Sequence, residues 1–506
     1  MRTKNSITNL IAAIVGQFFG LIISFIARFV FIKYLGAEYL GINGLFTNML
    51  TLLSLVELGI GPAMSYGLYR PLAEGDTEKV KTLMNLYGKV YRVIGVLIIL
   101  LGVMTLPFYR FFIGDQPAIG NLDIVYVLFI LNTAASYFYS YKRTLIICDQ
   151  KKYIATIYRY ACYFLMNTLQ VILLVITKNY LLFLIIQVLF TIIENITLSN
   201  KANKLYPYLK DKTVKKIEKT EKDAIRKNIY AMSLHKVGSI VVNSTDNILI
   251  SKLVGIVEVG IYSNYFLITS AIETITSQFF NAIIASVGNL HATENGEKTE
   301  RVFYSVFFLN YVIFSICSTC FFCIVNQFIE IWLGSGLTFD FATVISITIC
   351  MYLKGMRRSV LTFRDAMGLF RHDRYKAIIE AIINIIASIV LGVRLGVLGI
   401  FLGTIVSTIL TSVWVEPYVL FRRGFNKKTN KYYVKFVLYT IATIFTCIIT
   451  FVCGNMMPVT GVFSLVVKGL FLLILSATLT LLPFVKTKEF SGIMLIIADM
   501  RHKRLK

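Results

Sequence analysis

Apolar runs of about 20 residues recur from one end of this chain to the other, the length that carries a helix across a ~30 Å hydrocarbon layer. Their hydrophobicity is continuous, not alternating, which selects membrane-spanning helices over a transmembrane barrel. Of the 506 residues, 57% are hydrophobic and the mean hydropathy is +0.71, whereas soluble domains hold roughly 45–50% apolar residues. The first run follows directly on "MRTKN". It is longer than a signal-peptide core and no small-residue cleavage pattern follows it, so it is expected to be retained.

Fourteen spans are expected: 7–33, 40–69, 88–113, 119–147, 153–177, 179–200, 228–251, 258–290, 302–325, 338–367, 376–394, 397–421, 433–454 and 461–485. The expected fold class is therefore an all-α integral membrane protein of about 14 transmembrane helices. The formal charge of +24 would suit nucleic acid, but its distribution argues against that partner. With the N-terminus inside, 43 of the 51 Lys and Arg residues fall in or beside the inward segments. Those segments are the N-terminus, 70–92, 142–159, 201–227, 298–301, 354–376, 422–435 and 486–506. This is the positive-inside rule satisfied throughout, with both termini cytoplasmic. Attraction to anionic membrane lipids is a secondary consequence.

The outward loops are short, which leaves little room for an enzyme's active site there. No catalytic residue, cofactor or metal is expected. "CSTCFFC" (Cys317, Cys320, Cys323) imitates half of an iron–sulfur motif, but it lies in an apolar helix without a nearby fourth ligand, as small buried hydrophobes would.

The two halves repeat at an offset of 219 residues. "KYLGAEYLGINGLF" (33–46) then overlies "KLVGIVEVGIYSNYF" (252–266), aligning Lys33 with Lys252, Gly36 with Gly255, Gly41 with Gly260 and Ile42 with Ile261. Parallel repeats of this kind are a common transporter plan, with the pathway between lobes. The expected domains are a six-helix lobe 1–200, a basic connector 201–227, a second six-helix lobe 228–425, and two extra helices with a tail in 426–506.

Polar residues inside the spans are the candidate site residues, because they are costly there and tend to be functional. Ala12, Gly16, Gly20, Ser24 and Arg28 recur every four residues and form one face of span 1. Facing Arg28 to lipid would cost about 2.5–3.5 kcal/mol, so the face is expected to look inward. The same positions in span 7 are His235, Ser239, Asn243 and Asn247, beside Asp246. Arg28 either braces Asp246 or gates and contacts an anion. Glu57 in span 2 and Glu273 in span 8 either tie helices together or couple ions. In "YLKGMRRSVLTFRDAMGLFRHDRYK", Lys354, Arg358 and Asp365 fall within about 40° on a helical wheel, with Arg357 and Arg364 to one side. Guanidinium groups grip phosphate oxygens in pairs, so this face suits a pyrophosphate head group at the inner mouth. Lys468, in the outer part of span 14, is a further candidate contact.

The chain resembles the multidrug/oligosaccharidyl-lipid/polysaccharide exporter superfamily. Within it, "ARFVFIKYLGAEYLGINGLF", "VELGIGPAMSYGLYRPLAEGDTEKV", "VLTFRDAMGLFRHDRYKAIIEAIINIIASIVL" and "GVLGIFLGTIVS" look like the bacterial Wzx-type polysaccharide repeat-unit flippases. The resemblance implies a MATE-like, V-shaped pair of lobes in the cytoplasmic membrane, alternating access to a cationic cavity. The implied substrate is an undecaprenyl-pyrophosphate-linked oligosaccharide, moved from inner to outer leaflet, with polysaccharide polymerase and assembly proteins as partners. A peptidoglycan-precursor flippase and a cation-coupled multidrug extruder are rivals in the same superfamily. A membrane glycosyltransferase is the rival from another class, disfavoured by the short outer loops.

Overall fold

The computed structural model describes residues 2–57, 59–114, 117, 119–211, 240, 244–293, 296–369, 372–373 and 375–494. Among these the chain is helical with no strand, as continuous apolar runs require when the backbone must satisfy itself in lipid. It divides into two compact units, Met1–Gly260 and Ile261–Lys506.

The first unit holds α1 (Arg2–Leu35), α2 (Ala37–Leu53), α3 (Ile60–Glu74), α4 (Thr77–Thr105), α5 (Leu122–Tyr137), α6 (Ser140–Cys148), α7 (Lys152–Thr177), α8 (Tyr180–Leu205) and α9 (244–253). The helix α10 (Ile256–Thr293) begins here and runs into the second unit. That unit continues with α11 (Gly296–Leu333), α12 (Phe341–Met356), α13 (Arg358–Ala366), α14 (Lys376–Leu410), α15 (Ser412–Val419), α16 (Asn430–Asn455) and α17 (Val462–Leu481).

Among the described residues ten helical segments are long and apolar enough to cross a bilayer; span 8 is the continuous helix α10, while spans 2, 10, 11 and 12 depart from single separate helices for local reasons. Span 2 is α2 and α3, parted by one 3-10 turn (Ser54–Glu57) and by left-handed Gly59 at φ 67°. Span 10 is α12 and α13, parted at Arg357. Spans 11 and 12 run together as α14, but Gly396 (φ 62°, ψ −137°) turns the chain between them. Only part of span 7 lies within the described residues.

The small-residue face of α1 has a definite partner. A Cβ on Gly16 or Gly20 would fall 2.1 Å or 2.8 Å from the ring of Tyr160 on α7, so the ring lies directly against bare backbone. The Ser24 hydroxyl meets the Tyr163 hydroxyl at 2.7 Å on the same helix. Ile11, Ile14, Phe18, Ile22 and Ile26 stay exposed along α1, where lipid would cover them. Small residues bring backbones together where no water drives association.

The repeat is visible in the backbone. Gly36 and Gly255, aligned by the 219-residue offset, both take positive φ (89° and 154°) at the end of one helix and the start of the next. Gly41 and Gly260, aligned likewise, meet in a reciprocal contact inside the first unit. A Cβ on Gly41 would lie 1.9 Å from the Ile256 carbonyl oxygen, and one on Gly260 would lie 2.2 Å from that of Ala37. Each glycine thus faces the carbonyl four residues before the other.

In the second unit α11 is the central post, with α12, α16 and α17 packed on it. Phe303, Phe307, Tyr311, Tyr432, Tyr439 and Phe484 form an aromatic core. Tyr311 stacks on Tyr439 at 4.4 Å. The last two helices are therefore bound into the second unit. Of the "CSTCFFC" thiols, Cys320 meets the Ser476 hydroxyl of α17 at 3.5 Å, a packing contact.

Candidate functional site

The cations of span 10, on either side of the break between α12 and α13, fall into two sets by the carboxylates they meet. Lys354 lies in the last turn of α12 and Arg358 opens α13. Both reach Glu273 on α10: Lys354 Nζ is 2.9 Å from its Oε2 and an Arg358 Nη is 3.8 Å from its Oε1. The side chains of Lys354, Glu273 and Arg358 remain 51%, 38% and 27% exposed, so this trio is open to a ligand. It sets two cations against one carboxylate.

Arg357 faces the other way. Its Nε and Nη2 bond the two carboxylate oxygens of Glu416 at 2.9 and 2.7 Å. Lys376 Nζ bonds the same carboxylate at 2.6 Å and Glu380 at 3.1 Å. The Ser412 hydroxyl donates to Glu380 Oε2 at 2.8 Å. Glu416 and Glu380 are buried, and the two cations match the two carboxylates. Burying four charges is tolerable only with such mutual pairing. Arg364 is also paired, with Asp365 at 2.8 Å and with buried Asp373.

The break has its own fastening. The buried Asn310 amide donates to the carbonyl oxygens of Gly355 and Met356 at 3.1 and 3.0 Å, acceptors that a broken helix leaves over. Gly355 lets the Phe314 ring lie against the backbone, 2.1 Å from where a Cβ would stand. Asn310→Leu is expected to lower thermal stability by about 1–3 kcal/mol for the carbonyls left unsatisfied. A melting temperature unchanged from wild type in detergent would refute the fastening.

Lys468 is only 1% exposed and its Nζ lies 3.4 Å from the Met457 carbonyl oxygen, so in this conformation it presents no surface to a ligand. Glu57 sits in the first unit at the α2–α3 break, where the Tyr91 hydroxyl donates to its Oε1 at 3.1 Å. Arg28 lies on α1 one turn past Ser24, and Asp246 lies on α9. His235 and Asn243 fall outside the described residues.

Sequence reasoning passed over Glu380, Glu416 and Lys376 as a unit. The signal was present in "AIIEAII" and "VWVEPYV", single carboxylates inside apolar runs, which mark charge partners within the membrane. Nothing local to either stretch names Arg357.

No family model matches the sequence, and no curated protein matches it. Solved structures do. The lipid II flippase MurJ in an inward closed conformation superposes with a TM-score of 0.66, covering 94% of this chain and 100% of MurJ at 13% identity. An inward-facing MATE multidrug transporter of the MOP superfamily gives 0.60 over 80% of this chain and 94% of its own, at 14% identity. The chain has the fold of MurJ and the MATE transporters. The MATE multidrug transporter DinF-BH gives 0.56 over 84% of this chain and 96% of its own, at 15% identity. The MATE/MurJ fold agrees with the expected all-helical, multi-pass membrane architecture.

Proposed function

We propose that this chain is a flippase for undecaprenyl-pyrophosphate-linked oligosaccharide repeat units, carrying them from the inner to the outer leaflet by alternating access through a cationic cleft. The observation that carries this reading is the Lys354–Glu273–Arg358 trio, part-exposed inside membrane helices with two cations to one carboxylate. A pyrophosphate cannot enter hydrocarbon bare, and a guanidinium with an adjacent ammonium supplies the charge it would otherwise lose with its water. Arg357 and Arg364 act in this reading as braces that hold the trio's helix ends, since carboxylates already occupy them. Glu273 keeps the two cations poised while no substrate is bound. The chain makes and breaks no covalent bond.

Likeness to MurJ over nearly the whole chain supports a second reading, a flippase for the peptidoglycan precursor, whose head group also carries pyrophosphate. The cation-coupled multidrug extruder is disfavoured by the same trio, because a cationic drug gains nothing from a site built around Lys354 and Arg358.

The test is transport at normal membrane expression. Arg358→Gln and Lys354→Gln are each expected to lower the rate about 10–100-fold, the kinetic equivalent of losing a charge-assisted hydrogen bond of ~1.5–3 kcal/mol. Undiminished transport in both variants would remove the trio from the pathway. In cells, deletion should strand the lipid-linked repeat unit on the inner leaflet. Stranding of the peptidoglycan precursor in its place would select the second reading.

A further inference from the structure

A second cationic site lies in the first unit. Lys81, Gly88 and Arg92, on one face of α4, line a cavity of about 110 Å³ with Tyr141 and Lys142 of α6 and Asp211 beyond α8. Three separate basic stretches, 70–92, 142–159 and 201–227, each assigned to the inner face by their charge, supply all of these residues but Tyr141. One water needs about 10–15 Å³ of such space, so the cavity holds a few small groups, the size of a phosphate head and not of a sugar chain.

Its charges are unequally matched. Lys81 is bound between Glu78 and Asp211, at 2.8 Å from each. Lys142 bonds only neutral oxygens, Ser199 Oγ at 2.8 Å and Asn203 Oδ1 at 2.9 Å, with the Tyr139 and Tyr141 rings 5.6 and 5.9 Å from its ammonium. An ammonium has three donors, so one remains. Arg92 spends its Nε on the Gly88 carbonyl of its own helix at 3.1 Å. Among the described residues neither Lys142 nor Arg92 has a carboxylate partner. Gly88 leaves the space that the Tyr141 ring fills, 3.0 Å from where a Cβ would stand, which fixes the cavity wall between the two cations. A half-buried cation flanked by aromatic rings and neutral dipoles, beside a guanidinium with free donors, is a receptor for a tetrahedral oxyanion.

We propose that this cavity binds a phosphate group at the inner face of the membrane, with Lys142 as the half-buried point charge and Arg92 as the forked donor. The site goes beyond the transport reading and shares no residue with the Glu273 trio. Two sources carry this chemistry, the phosphodiester head of an inner-leaflet anionic lipid and a soluble phosphate or pyrophosphate.

Full-length protein in neutral phosphatidylcholine nanodiscs should be compared with protein in discs containing phosphatidylglycerol, reading retained lipid by native mass spectrometry. Inorganic phosphate and pyrophosphate should be titrated separately into the neutral discs by calorimetry. Selective retention of phosphatidylglycerol assigns the lipid source, and binding of the soluble anions alone assigns the other. Either should weaken at least tenfold in Arg92→Gln and Lys142→Gln, persist in Lys142→Arg, and be unchanged in Lys89→Gln, an exposed neighbour on α4 outside the cavity. Arg92 is exposed, so its variant is expected to fold and keeps the test decisive if Lys142→Gln does not. Equal retention of zwitterionic and anionic lipid together with no soluble binding overturns the proposal, as does wild-type binding by Arg92→Gln.

Discussion

Glu416→Gln is expected to destabilise the second unit by about 3–5 kcal/mol, the cost of leaving buried charge without its partner. Glu416 is fully buried and receives two bonds from Arg357 and one from Lys376. With an amide in its place, two cations share the single carboxylate of Glu380, 3.6 Å from Arg357 and 3.1 Å from Lys376. The readout is melting temperature and monodispersity of purified protein, beside its amount in the membrane. The double variant Arg357→Met/Glu416→Gln removes one charge of each sign and leaves the Lys376–Glu380 pair intact. It should recover much of the loss, because apolar groups replace buried ion pairs at little cost. A double variant as unstable as Glu416→Gln alone would show that charge balance is not what holds α13, α14 and α15 together.

Gly41→Ala is expected to be nearly as damaging, although it adds only one methyl group. That methyl would stand 1.9 Å from the backbone oxygen of Ile256, so no side chain can turn aside to admit it and the two helices must separate. Overpacking of this kind typically costs ~1–3 kcal/mol, more where backbone meets backbone. Gly260→Ala, 2.2 Å from the Ala37 oxygen, should reproduce it, and the double should cost less than the sum, because the first methyl has already opened the shared seam. Gly296→Ala is the matched control, since no atom lies within 4 Å of its added Cβ. Wild-type melting by both seam variants would mean that the reciprocal contact is dispensable.

Much of the fold was legible because lipid imposes its rules residue by residue. Run length gave most of the spans, and the glycines at 36, 255 and 396, which take positive φ, fall between expected spans; the break at Gly59 falls inside expected span 2, where an unbroken apolar run hid it. The 219-residue repeat was legible too, in the paired glycines. Helical spacing set Lys354, Arg358 and Asp365 on one face with Arg357 and Arg364 to one side; in the structure Lys354 and Arg358 share Glu273, Arg357 pairs with Glu416, and Arg364 pairs with Asp365 and Asp373.

The sequence by itself determined a helical, multi-pass membrane protein and the approximate lengths of most of its spans. These are local quantities, set by transfer from water and by backbone geometry. Only the tertiary structure decided which charges meet. Glu273 and Lys354 lie on helices joined through a third, Arg357 and Glu416 are separated by α13 and α14, and Lys142 and Arg92 line one cavity that no stretch of sequence announces. A charge inside a membrane needs a partner within about 4 Å to offset its lost water, and that distance is set by helix packing, whose small residues and aromatic rings lie far from the charges they bring together.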